Sequence, residues 1–281
     1  MGAVKCKLPL PPSFDVVVNS NNQAYRLIDD SVKAKNMQGI AMLCLTVKRS
    51  SERGKKFLKV VANKRNWDVL NHSTAGDVVK ICSSLANNDI ECPKFLESLD
   101  TPQFAKRLLF TGTSGDCALI AWSLAKLDHD TSKSPIFDAI ESDIENVFSR
   151  GNRLDISQLC YAWGKGAREG RERSEESKIN VFKCVNSCRD KFVTGGTGGY
   201  RELSMAIHAM ALGGRATTDR KFFDFVSREL GAKVARSGDV RALSNICYSF
   251  ARGGVDGENL FMECVKEGKR IARDGNVQVR C

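Results

Sequence analysis

The sequence predicts an all-α protein, a right-handed-type α-solenoid of about five to six helix-turn-helix repeats of about 39 residues each. Three observations carry that expectation. One short segment recurs without internal gaps from Asp77, Asp116, Asp155, Glu202 and Ala242. Counting that first residue as position 0, positions 1, 4, 5 and 8 of every copy are apolar or Cys, the spacing of one helix face and not of a strand. A second amphipathic stretch follows each copy, so the unit is helix, short loop, helix. One such pair cannot bury its own apolar face, and neighbouring units must stack to do so.

Residues 1–24, with Pro9, Pro11 and Pro12, are expected to form a loose N-terminal arm. Residues 25–75 read as a degenerate first repeat or basic cap, with apolar stretches at 37–48 and 57–66. The repeats proper fill 76–281. Their large apolar residue at position 8 is Leu85, Leu124, Trp163, Met210 and Phe250, at intervals of 39, 39, 47 and 40. The long interval holds an insertion over 168–200, made of a charged run (168–178) and a glycine-rich loop (195–200). Position 9 is always small (Ala86, Ala125, Gly164, Ala211, Ala251), which lets a neighbouring helix backbone come close. Gly166, Gly213 and Gly253 are expected to stop their helices. The second stretches are 95–99, 136–148, 181–188, 222–230 and 260–271, with Pro93 and Pro135 near the starts of the first two, where Pro is tolerated.

Composition narrows the classes. Apolar residues make up 42% and charged residues 27% of 281 residues, enough for a sizeable core. No apolar run approaches the roughly 20 residues that cross a bilayer. The net charge is +10, spread unevenly: 13 basic and 5 acidic side chains in residues 1–75, 8 and 13 in 76–160, and 22 and 15 in the remainder. The densest cluster is Lys48, Arg49, Arg53, Lys55, Lys56, Lys59, Lys64 and Arg65, broken only by Glu52. Such a cluster suits phosphate, and equally a solvated helix face. Eleven Cys read as free thiols in a reducing compartment. Gly2 is placed for myristoylation, but Cys6 stands where Ser or Thr is wanted; neither a secretory signal nor a transit peptide is evident.

The phrases Ile120-AWSLAKL-Asp128 and Ile246-CYSFARGG resemble the "W-A-L-A-K-L-G" helix of octotricopeptide repeats, and of the related heptatricopeptide and FAST-kinase-like repeats. The resemblance runs over about residues 25–275, with the segment at Asp116 nearest the consensus. It implies an RNA-binding solenoid of a mitochondrion or plastid, acting in transcript stabilisation, processing, translation or ribosome assembly. Many members end in a RAP domain, an endonuclease-like module; here the sequence stops at Cys281 straight after the last repeat helix, so no such module is expected.

Positions 3, 6, 7 and 10 fall on the side of the first helix opposite 1, 4, 5 and 8. Position 3 holds Lys80, Leu119, Gln158, Met205 and Asn245; position 6 holds Ser83, Trp122, Tyr161, His208 and Tyr248; position 10 holds Asn87, Lys126, Lys165, Leu212 and Arg252. Stacked units would align them as a stripe for single-stranded RNA. Flat rings stack on unpaired bases at about 1–3 kcal/mol each, cations take phosphates, and amides read base edges. Trp122, Tyr161 and Tyr248 also fit a second role, as wedges between helices. Lys126, Lys165 and Arg252 are expected to serve RNA, since a repeated cation has no packing purpose, although a cation in the last turn also suits the helix dipole.

No catalytic constellation, cofactor motif or metal site is expected. Cys184 and Cys188 lie one helical turn apart with no nearby His, and His72, His129 and His208 are scattered. The loop at Gly195 lacks the Lys-Ser/Thr of a phosphate-binding P-loop. The leading expectation is therefore a non-catalytic component of a ribonucleoprotein assembly, such as a mitochondrial ribosome, or a free transcript-binding factor. The alternative is an adaptor solenoid holding a protein.

Overall fold

The computed structural model describes residues 26, 28–30, 37–47, 51–63, 73–166, 174–193, 200–214 and 219–278. The N-terminal arm and residues 168–173 and 194–199 of the 168–200 insertion lie outside them. Among the described residues the chain is all-helical, with no strand, and no helix is long and apolar enough to cross a membrane. It forms two compact units, residues 1–104 and 105–281. The division falls within the span that the repeat pattern treats as continuous.

In the first unit, α1 (Gln38–Thr46) and α2 (Glu52–Ala62) pack on α3 (Ala75–Asn87), and α4 (Pro93–Leu99) follows. Helix α5 (Pro102–Thr111) spans the division. The second unit contains α6 (Ser114–Lys126), α7 (Pro135–Ser142), α8 (Ile144–Arg150), α9 (Arg153–Gly166), α10 (Glu175–Ser187), α11 (Tyr200–Leu212), α12 (Arg220–Phe225), α13 (Gly231–Ser237), α14 (Val240–Gly253), α15 (Glu258–Lys266) and α16 (Gly268–Gln278). Here the repeat helices pack in sequence order, α6 on α9, α9 on α11, and α11 on α14. The second stretches pack on one another too: α7 and α8 on α10, α10 on α12, and α13 on α15.

Several of those second stretches are broken or followed by a further helix. Pro102 starts a separate helix after α4, and the 136–148 stretch breaks at Asp143, whose φ of −123° is not helical. The 222–230 stretch passes through a π-helical turn at Val226–Leu230 before α13.

Both ends of the repeat helix are built by recurring local chemistry. At the start, Thr74, Thr113 and Asn152 stand at position −3. The amides of Asp77, Asp116 and Asp155 donate to their side chains at 3.1, 3.1 and 3.2 Å. In return the Asp116 and Asp155 carboxylates accept the amides of Thr113 and Asn152 at 2.9 and 2.8 Å, a capping box that satisfies otherwise orphaned donors. Asp239 does the first half of this for α14, accepting from the Ala242 amide at 2.8 Å. At the other end, position 12 is left-handed in four repeats: Asp89 (φ 53°), Asp128 (57°), Gly214 (69°) and Gly254 (61°). The amides of Ile90, His129 and Val255 then reach back to the carbonyls of Leu85, Leu124 and Phe250 at 3.0–3.2 Å, as in a Schellman cap. The left-handed residue thus stands one place after Gly213 and Gly253, and Asp serves where Gly is absent.

Between these caps the core matches the repeat register. Positions 1, 4, 5 and 8 are buried in every copy except for half-buried Cys247, and position 9 is buried in all but Ala251. Position 7 (Ser84, Ser123, Ala162, Ala209, Ser249) is also buried. It was expected on the open side, but its small side chains sit where helices meet. Gly164 meets the backbone of α11 directly: a Cβ there would lie 2.9 Å from both Cα and C of Ala209.

Candidate nucleic-acid interface

In the second unit, four repeat helices present positions 3, 6 and 10 to solvent, and the positions between them are buried except for Cys247 and Ala251. Leu119, Trp122, Lys126, Gln158, Tyr161, Lys165, Met205, His208 and Leu212 are half-buried; Asn245, Tyr248 and Arg252 are exposed. Register brings the rings at position 6 together in pairs. Trp122 and Tyr161 lie 6.5 Å apart between centroids at 45°, and His208 and Tyr248 lie 5.8 Å apart at 43°. The Ser249 hydroxyl lies 3.4 Å from His208 Nδ1 and links α14 to α11 on the same side.

The cations at position 10 divide into two kinds. Lys126 Nζ lies 5.2 Å above the centroid of its own Trp122 ring, and Arg252 Nη1 donates to the Tyr248 hydroxyl at 3.3 Å. Each is one helical turn from its ring, so ring and cation form one platform. Lys165 differs. Its ammonium is 2.5 Å from the Asp128 carboxylate and 3.3 Å from the Lys126 carbonyl, both at the end of α6. The expectation that a repeated cation has no packing purpose is therefore corrected at Lys165, which ties the left-handed cap of one repeat to the next repeat helix.

In the first unit Lys80 is half-buried and pairs with Asp77 at 3.3 Å, while Ser83 is buried. Of the basic cluster, Arg53, Lys56 and Lys59 line the exposed face of α2, opposite buried Phe57, Leu58 and Val61. Lys55 pairs with Glu52 at 3.2 Å. Lys48, Arg49, Lys64 and Arg65 lie outside the described residues.

Two candidate residues escaped the sequence reading. Arg201 and Arg241, at position −1, are exposed and lie one turn before Met205 and Asn245 on the same face. Extending the stripe by four residues towards the helix start would have found them.

Among the described residues, every thiol with a resolved shift is raised. Burial pushes Cys92 and Cys117 up to about 12 and raises Cys44 and Cys160 further. Among the described residues, no three His, Cys, Asp or Glu side chains gather into a group that could hold a metal. No protein family, curated protein or solved structure matches the chain.

Proposed function

We propose that the chain is a non-catalytic RNA-binding α-solenoid of octotricopeptide type, working within a ribonucleoprotein assembly of a mitochondrion or plastid. The observation that carries this reading is the pairing of position-6 rings across adjacent repeat helices, flanked by Lys126 and Arg252. A ring that only wedges helices apart is enclosed, as Trp163 is at 1% exposure, whereas Tyr248 is 51% exposed. Half-buried and exposed rings beside cations, Trp122 with Lys126 and Tyr248 with Arg252, offer unpaired bases a stacking surface and their phosphates a counter-charge. The wording of the segment at Ile120, the net charge of +10 and the exposed cations of α2 support the same ligand.

The test is fluorescence anisotropy of the full chain with labelled single-stranded RNA. Affinity is expected to fall linearly in log–log terms with added salt, at about −0.7 per phosphate neutralised. Tyr248→Ala and Trp122→Ala each remove a stacking partner and should weaken binding by about 5- to 150-fold. Lys126→Glu with Arg252→Glu should flatten the salt slope while circular dichroism is unchanged. Salt-independent binding, or binding indifferent to all four substitutions, overturns the proposal.

One observation favours a protein contact as well. Helix α15 exposes Phe261, Met262 and Val265 at 39, 53 and 73%, an apolar face of the kind that docks on other proteins.

A further inference from the structure

Helices α14 and α15 form an antiparallel hairpin joined through Gly254–Gly257, and their side chains meet in rungs. Phe250 and Phe261 stack edge-on with centroids 6.4 Å apart. One turn further along both helices, the sulfurs of Cys247 and Cys264 lie 4.0 Å apart. Gly257 keeps the hairpin tight, since a Cβ there would come 2.9 Å from both Phe250 and Phe261. We propose that Cys247 and Cys264 are a reversible disulfide-forming pair, oxidised by hydrogen peroxide and restored by a dithiol reductant.

A disulfide needs its sulfurs about 2.05 Å apart, so about 2 Å of approach is required. Rotation about χ1 of two half-buried side chains can provide it. The two thiols are also differentiated. Both are raised by burial, Cys247 to about 12, whereas at Cys264 the contact with Cys247 and the Arg270 charge work against burial and Glu263, leaving it the less raised of the two. Arg270 is held in place by the Gly238 carbonyl at 3.2 Å, by the Ala235 carbonyl and by Asp274. Cys264 is therefore the first nucleophile. Its thiolate attacks one peroxide oxygen, the O–O bond breaks, and the hydroxide released takes up the Cys264 proton as water. Cys247 then attacks the Cys264 sulfenic sulfur, the S–O bond breaks, and a second water leaves with the Cys247 proton. Two thiols lose two electrons and two protons, and one peroxide becomes two waters.

The neighbouring candidates are less suited. Cys184 and Cys188 are four residues apart on and just beyond one helix, and the Cys188 thiol donates to the Phe148 carbonyl at 3.7 Å.

The experiment treats the fully reduced, full-length chain with stoichiometric hydrogen peroxide, blocks residual thiols with N-ethylmaleimide, and digests it with trypsin without reductant. Cleavage after Arg241, Arg252 and Lys266 separates the two cysteines, so the expected product is a linked pair of peptides 242–252 and 253–266, lighter by two hydrogens than their sum and released by dithiothreitol. In Cys247→Ser the link is absent and Cys264 is trapped as a sulfenic acid by dimedone. If the chain is unfolded in guanidinium before oxidation, the yield of this link should fall about tenfold, because each of the eleven thiols then has ten others to choose from. The proposal is overturned if both cysteines are recovered blocked or singly oxidised while other thiols react. It is equally overturned if unfolding leaves the yield unchanged. The wild-type map decides the matter even if a serine variant fails to fold.

Discussion

Replacing Gly164 by Ala tests whether helix spacing in the second unit is set at position 9. In a helix interior the exchange ordinarily stabilises by about 1 kcal/mol, because Gly loses more backbone freedom on folding. At Gly164 the new methyl would lie 2.9 Å from Ala209 Cα and C, and closer still to its carbonyl oxygen. All three are backbone atoms, so no rotamer change relieves the contact, and α9 and α11 must separate by about half an ångström or more to reach ordinary contact distance. Overpacking of a closed core costs about 1–3 kcal/mol. Set against the propensity gain, the net loss is about 0–2 kcal/mol. With a urea m-value of about 2 kcal/mol/M, the midpoint should fall by up to about 1 M instead of rising. The control is Gly275→Ala in α16, where the nearest atom to the new methyl is Val240 Cγ1 at an ordinary 3.6 Å; that change should raise the midpoint. Urea titrations followed by circular dichroism measure both. If Gly164→Ala shifts the midpoint upward like Gly275→Ala, close backbone approach does not set the spacing.

Asp155 is raised above its ordinary 3.8 mainly by burial, against the Asn152 amide and Lys191, which lower it. The native state then binds more protons than the unfolded state between those two values, so stability is lost as pH rises through that window. Asp155→Asn keeps an acceptor for the Asn152 amide, and its advantage over wild type in urea midpoint should grow as pH is raised from about 4. Lys165→Met keeps the aliphatic stem but loses Asp128 and the Lys126 carbonyl. It should cost about 0.5–1 kcal/mol and, by anisotropy, weaken RNA binding less than Lys126→Met does. Gly254→Ala forces a Cβ into the left-handed cap at φ 61° and should cost about 1 kcal/mol in urea unfolding.

The helical class and the buried register were legible because each rests on a period that survives divergence between repeats. Position 8 changes from Leu85 to Trp163 to Phe250, yet the spacing holds and all three are fully buried. The caps were equally present in the sequence, as Thr74-x-x-Asp77, Thr113-x-x-Asp116 and Asn152-x-x-Asp155. They lie outside the apolar period, since each N-cap stands three residues before its Asp and faces no core. The left-handed residue follows Gly213 and Gly253 by one place, and Asp89 and Asp128 adopt the same conformation without Gly. The role of Lys165 was not legible at all. Its partner Asp128 stands 37 residues away, and only the stacking of α6 on α9 brings the two together.

This separation of roles bears on the candidate interface. The apolar register and the small residue at position 9 carry spacing, and positions 0 and 12 carry caps where Asp or Gly stands there. Positions 3 and 10 do no such work in most copies and vary widely, from Leu119 to Gln158 to Asn245, and from Lys126 to Leu212 to Arg252. Position 6 lies between these extremes: it is half-buried or exposed, so packing does not demand a ring there, yet Trp122, Tyr161, His208 and Tyr248 are all flat. A side chain held constant in shape where the core does not require it, beside side chains free to differ, is the pattern expected of a surface that stacks every base alike and discriminates among them by its neighbours.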